Sequence, residues 1–255
     1  MTRSVAFAAL AAAALVGGPA PGAQAGFFTY NFTGTVTSVD NAGGFFAPPA
    51  AVGAPVTGSF TYTDTPNLMP SSFNPFFTSY NDFDFFFNPA SPPRTGLRLV
   101  VGGAAVGTPP DVLGNQLVGN DNPTDTFPPF FPVGDSFRYG GQLDIFTGSP
   151  LFDQDALFNA EFLQFAFGNV FLVDPTGAVF DSQALPVGGL PLSGFTRRYG
   201  VINLFDDNFE QTGLLVFEIN AITLATPVPV PPTVLLALGG TGLLGFARRR
   251  TRATA

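Results

Sequence analysis

Cysteine, histidine, lysine and tryptophan are all missing from this chain, so its ten basic residues are all arginine. Each absence removes chemistry. Without histidine there is no Ser-His-Asp triad, without cysteine no thiolate nucleophile, and without lysine no Schiff base. Zinc held by His or Cys is excluded with them, which leaves carboxylate chemistry and oxygen-ligated metals. The missing cysteines do not fix a redox compartment, because an exported domain without disulfides and a cytosolic protein look alike in this respect. Charge is scarce and one-sided. All eighteen acidic residues fall between Asp40 and Glu218, and between residues 26 and 226 only five arginines offset them, a net −13. Such a body repels nucleic acid and anionic membrane surfaces, so no nucleic-acid partner is expected.

What is present begins with an export pattern. Arg3 precedes a twelve-residue apolar run, Val5 to Val16, which Pro19 and Pro21 terminate before Ala23-Gln24-Ala25. A positive start, an apolar stretch and a small-x-small site predict a signal peptide over residues 1–25, cut after Ala25. Signal peptidase and a Sec-type export machinery are the partners this implies. A buried N-terminal helix is the alternative, and the two prolines weigh against it.

From Phe28 the sequence takes up a period of two. Phe28, Tyr30, Phe32 and Val36 share one face and Thr or Asn the other; Val56–Tyr62 and Leu214–Thr223 repeat the pattern, the latter with Leu215, Phe217, Ile219 and Ala221 on one side. Further strands are predicted at Leu97–Val101, Ser136–Phe146, Leu157–Val173 and Val201–Phe205. Turn formers separate them, at Asn41–Gly44, Asp64–Pro70, Asn88–Pro93, Gly107–Pro110, Asn120–Pro123 and Pro186–Pro191. Thirty Gly and twenty-five Pro disfavour helices, so the fold class read from the sequence is all-β. The architecture expected over residues 26–226 is an antiparallel β-sandwich, jelly-roll-like, of about eight to twelve strands.

Two compositional features bear on function. Thirty-one Phe, including Phe85–Phe87 and Phe127, Phe130 and Phe131, either supply core volume in place of Trp or form exposed loops that touch a sugar, a lipid or a neighbouring chain. Paired acids also stand out. Asp82 with Asp84 and Asp153 with Asp155 would each project to one side of an extended chain, as candidates for structural calcium, and Asp206-Asp207 leads to Glu210. From Asp153 the fifth position is Leu157, so the helix-loop-helix calcium pattern fails. Solvated loop carboxylates and a carboxylate-based hydrolase are the other readings of these acids. No cofactor is called for otherwise, and Gly102-Gly103 and Gly188-Gly189 read as plain turns.

The chain closes with Val228-Pro229-Val230-Pro231, an uncharged stretch from Thr233 to Ala247, and then Arg248, Arg249, Arg250 and Arg252. Fifteen helical residues span about 22 Å, short of a hydrocarbon core of about 30 Å. A short transmembrane helix over about 229–247 is predicted, with the arginines of 248–252 as a cytoplasmic stop and the body facing outward from the inner membrane. A secretory signal joined to a small removable tail follows the logic of anchor exchange. An uncut single-pass anchor and a packed C-terminal helix are the alternatives.

This proline motif, glycine-containing apolar helix and terminal arginine cluster, over residues 228–255, resemble the PEP-CTERM sorting domain in its V-P-x-P-type variants. The resemblance implies recognition by a membrane-embedded exosortase-like protease that cuts near Val228–Pro231. It also implies export in a Gram-negative bacterium and a link to exopolysaccharide. Val230 stands where the motif has an acidic residue, which implies a variant enzyme. The sequence is thus read as a non-enzymatic, membrane-tethered or surface-sorted protein of the cell surface or extracellular matrix. Its alternative is a carbohydrate- or calcium-binding surface module on a permanent anchor.

Overall fold

The structure is a computed structural model and describes residues 27–63, 69–74, 76–81, 96–108, 115–123, 132–145, 148–161 and 164–225. Among these residues eleven strands form one antiparallel sheet: β1 (Phe27–Asp40), β2 (Pro55–Thr63), β3 (Met69–Asn74), β4 (Phe77–Asn81), β5 (Gly96–Val101), β6 (Ala104–Gly107), β7 (Asn115–Asn122), β8 (Gly134–Leu143), β9 (Phe165–Asp174), β10 (Arg197–Phe205) and β11 (Gln211–Leu224). Their order across the sheet is β3-β4-β7-β8-β9-β10-β11-β1-β2-β5-β6. The expected all-β antiparallel class is what the chain adopts. The described strands belong to one continuous hydrogen-bonded sheet. One short helix, α1 (Gln154–Phe158), and one 3₁₀ turn (Leu192–Gly194) complete the described secondary structure.

Chain length alone requires this sheet to curl. β2 and β3 lie eight positions apart in the strand order, which on a flat sheet is about 38 Å at 4.8 Å per strand. Six Cα–Cα steps from Thr63 to Met69 reach at most about 21 Å. The sheet therefore folds over, and rings from distant strands meet inside it. Phe60 on β2 stacks on Tyr139 of β8 at 5.4 Å between centroids, and Tyr62 meets Phe137 at 5.3 Å. Tyr30 stacks on Phe60 at 5.2 Å, and its hydroxyl accepts the Leu190 amide at 2.7 Å. Burial pushes the Tyr30 phenol upward, against the opposing effect of that amide.

Strands with one wet face follow the sequence pattern. Tyr30, Phe32 and Val36 of β1 are buried while Asn31, Thr33 and Thr37 are exposed. On β11 the pattern changes phase. Gly34 pairs with Ile219 and Thr33 with Ala221, so Asn220 is an extra residue in the ladder, and Ile222 is buried in place of the expected Ala221. The predicted strand Leu157–Val173 is also corrected, because its first residues lie in α1, capped by Asp153. Beyond the inner core, Phe171, Val173 and Val201 form a second buried apolar group on the opposite side of β9 and β10. Among the described residues no helix is long and apolar enough to cross a membrane. Residues 1–25, including Ala23 and Ala25, and residues 227–255, including the predicted transmembrane helix, lie outside the described residues.

Candidate functional site

Three carboxylates gather where β7 ends, β8 begins and β9 ends. Asp135 lies directly opposite Asp174, and both are buried. Asp135 Oδ1 accepts the Asp121 amide at 3.0 Å, and Oδ2 accepts the Val179 and Phe180 amides at 2.7 and 2.6 Å. Asp174 accepts the Thr176 and Ala178 amides at 3.0 and 2.8 Å and the Thr176 hydroxyl at 2.7 Å. Burial works to raise the Asp174 carboxyl; the bonds from Ala178 and Thr176 outweigh it and hold the group below the usual carboxylate range. Asp121 has φ +52°, and a Cβ on Gly177, itself at φ +67°, would approach the Asp121 carboxylate. Glycine is needed there for both reasons. The oxygens of Asp135 and Asp174 are thus taken up by the chain's own donors. Chemically the cluster is a clasp that ties the segment after β9 to β8. Among the described residues no three His, Cys, Asp or Glu side chains are placed to hold one metal ion.

Of the sequence-predicted calcium candidates, Asp153 and Asp155 fall within the described residues. Asp153 is the N-cap of α1 and accepts the Ala156 amide at 2.9 Å, while Asp155 lies in the first helical turn. The pair was expected on an extended chain; the helix turns the two carboxylates to different tasks. Asp82 and Asp84, Phe85–Phe87, Phe127, Phe130 and Phe131, the sorting motif Val228–Pro231 and Arg248, Arg249, Arg250 and Arg252 lie outside the described residues. One arginine is embedded: Arg138 opposes Phe171 on β9, donates from Nη2 to Asn115 Oδ1 at 2.6 Å, and is pushed down to about 10 by burial.

Two surface features remain as contact candidates. An open groove of about 810 Å³ crosses β10 and β11, lined by Arg197, Tyr199, Glu218 and Asn220 among others. Tyr199 forms its aromatic wall and is held by stacking on the buried Phe171 at 4.9 Å. The second feature is the β10–β11 turn. Asp206 closes it, accepting the Asn208 and Glu210 amides at 3.0 and 2.8 Å through Oδ1. Phe209 occupies the left-handed position at φ +62°, where glycine is the usual residue. A side chain there costs about 1–2 kcal/mol. The residue is 73% exposed, and its ring stacks on Phe165 at 6.3 Å.

No protein-family model, curated protein or solved structure matches the chain. Sequence reasoning missed both the clasp and the turn. The clasp residues are joined by sheet register alone, and Asp206–Glu210 carried a signal, a doubled Asp before Asn, that marks a turn without revealing which residue takes positive φ.

Proposed function

We propose that this is an exported, non-enzymatic surface protein whose C-terminal segment is a sorting tail. After signal removal beyond Ala25, the arginines of 248–252 hold the tail at the cytoplasmic face of the inner membrane. An exosortase-like enzyme then cuts near Val228–Pro231 and releases the body to the cell surface or extracellular matrix. The body is a sandwich-like module made of the facing halves of the curled sheet.

The observation that carries this reading is the pairing of the body's two ends. β1 starts at Phe27, two residues after the predicted signal cut, and β11 ends at Leu224, four before the proline motif. The two strands pair antiparallel, Tyr30 opposite Leu224, so both cuts fall just outside the same end of one hydrogen-bonded ladder. Neither cut removes any of the described strands. Mass spectrometry of both termini of the protein from its native cell tests this: an N-terminus at Gly26 and a C-terminus near residue 228 are expected, whereas a mature chain with Met1 and Ala255 both present refutes it.

The groove beside Tyr199 favours a second reading, a carbohydrate-binding module on a permanent anchor. A rigid aromatic face beside guanidinium, carboxylate and amide groups suits a saccharide ring and its hydroxyls. Glycan-array binding by the intact chain that disappears in Tyr199→Ala supports it; an array without signal removes it.

A further inference from the structure

We infer that the Phe209 turn is a contact site for an arginine-bearing segment of a partner polypeptide. The hairpin joins β10 to β11 within the body, so this contact is independent of how the tail is processed. A glycine at the left-handed position would close the same turn without strain, because Asp206 and the backbone make all of its hydrogen bonds: the Asp206 amide to Glu210 O at 3.0 Å, the Phe209 amide to Asp206 O at 3.0 Å, and the two side-chain bonds described above. The hydrogen bonds of the turn thus make no use of this side chain, yet a phenyl ring stands there, exposed. Strain retained at an exposed position marks use.

Beneath the ring, Phe165 continues the patch, and Phe167 meets Phe205 edge to face at 6.2 Å. All three are half-buried, so the patch is a fixed aromatic surface with Phe209 at its rim. It lies at the opposite end of β11 from Leu224.

Charge selects the occupant. Asp207 and Glu210 flank Phe209 and are exposed, as are Asp40, which pairs with Leu214 nearby, and Glu161, which precedes β9. The described arginines are elsewhere. Arg197 and Arg198 begin β10, whose far end is Phe205; Arg138 opposes Phe171, six residues along β9 from Phe165; and Arg98 of β5 pairs with Gly107 of β6. An aromatic surface rimmed by carboxylates repels anionic lipid and disfavours a second copy of itself. It attracts guanidinium groups, which stack on ring faces while pairing with the carboxylates.

The experiment titrates the purified full-length chain with a nine-residue oligoarginine peptide, comparing wild type, Phe209→Gly, Phe165→Ala and Asp181→Asn. Asp181 is an exposed carboxylate beyond the other end of β9, so its variant changes net charge without touching the patch. Expected are a loss of affinity of about tenfold or more in Phe209→Gly and Phe165→Ala, little change in Asp181→Asn, weakening with added salt, and a melting temperature of Phe209→Gly equal to or above wild type. Unchanged affinity in Phe209→Gly, an equal loss in Asp181→Asn, or no binding by wild type would each overturn the inference. So would a Phe209→Gly chain that melts several degrees lower, because the ring would then serve the fold.

Discussion

Asp135 and Asp174 are direct cross-strand partners, both buried, and their hydrogen-bond partners are backbone amides and a hydroxyl. Two like charges opposite one another oppose strand pairing. They persist because amides at Asp121, Val179 and Phe180 serve one carboxylate and those at Thr176 and Ala178 the other. The clasp is thus a mutual solution, and removing one side leaves the other unsatisfied.

Asp135→Ala orphans three backbone amides at once. A loss of about 3–5 kcal/mol is expected, read as a lower urea midpoint. Asp135→Asn keeps one acceptor oxygen and should fall between the variant and wild type. Equal midpoints for Asp135→Ala and wild type would show that water replaces the carboxylate at no cost.

Asp174 sets an acid dependence. Burial acts to raise its carboxyl, but the bonds from Ala178 and Thr176 dominate and lower it in the folded state. A lowered folded-state value means that the charged form is favoured by folding. The contribution is complete above the ordinary Asp range, near pH 4, and is lost as pH falls from there through the depressed value. The urea midpoints of wild type and Asp174→Asn should therefore differ most at pH 6 and converge on acidification; a gap that stays constant down to pH 2.5 would contradict this.

Gly34 sits at the bulge where β1 and β11 change register, and a Cβ there would run into the backbone carbonyl oxygen of Glu218. Backbone cannot swing aside as a side chain can. Gly34→Ala should cost about 1–3 kcal/mol, visible in thermal denaturation, whereas alanine at Gly44, whose Cβ position is open, carries only the penalty of its positive φ.

The ladder between Tyr30 and Leu224 gives a fourth expectation. Deleting residues 1–25 and 226–255 should leave the melting temperature of the body within a few degrees of the full chain. Deleting three more residues from β11, Ile222 to Leu224, removes the buried Ile222 and its pairing with Phe32, and should lower it clearly. Circular dichroism melts of the three proteins decide the matter.

Part of this fold could be read directly from the chain. β1, β2 and the first half of β11 alternate because one face is wet and the other dry, and that difference is written residue by residue. Other strands escaped notice. β7 reads Asn-Gln-Leu-Val-Gly-Asn-Asp-Asn, which resembles a turn, yet Gln116, Leu117, Val118 and Gly119 are all buried. A strand covered on both faces has no alternation to display. The start of the stretch Leu157–Val173 became helix because an Asp at position 153 caps it, a local preference that the strand pattern concealed.

The sequence by itself determined the excluded chemistry and the all-β class, because these follow from composition and from neighbours along the chain. Only the tertiary structure decided that Asp121, Asp135 and Asp174 form one clasp, that the sheet curls until β2 faces β8, and that a phenylalanine holds the left-handed corner of the last hairpin. Each depends on strand register, which is set by hydrogen bonds between residues far apart in the chain and leaves no periodic trace within either strand.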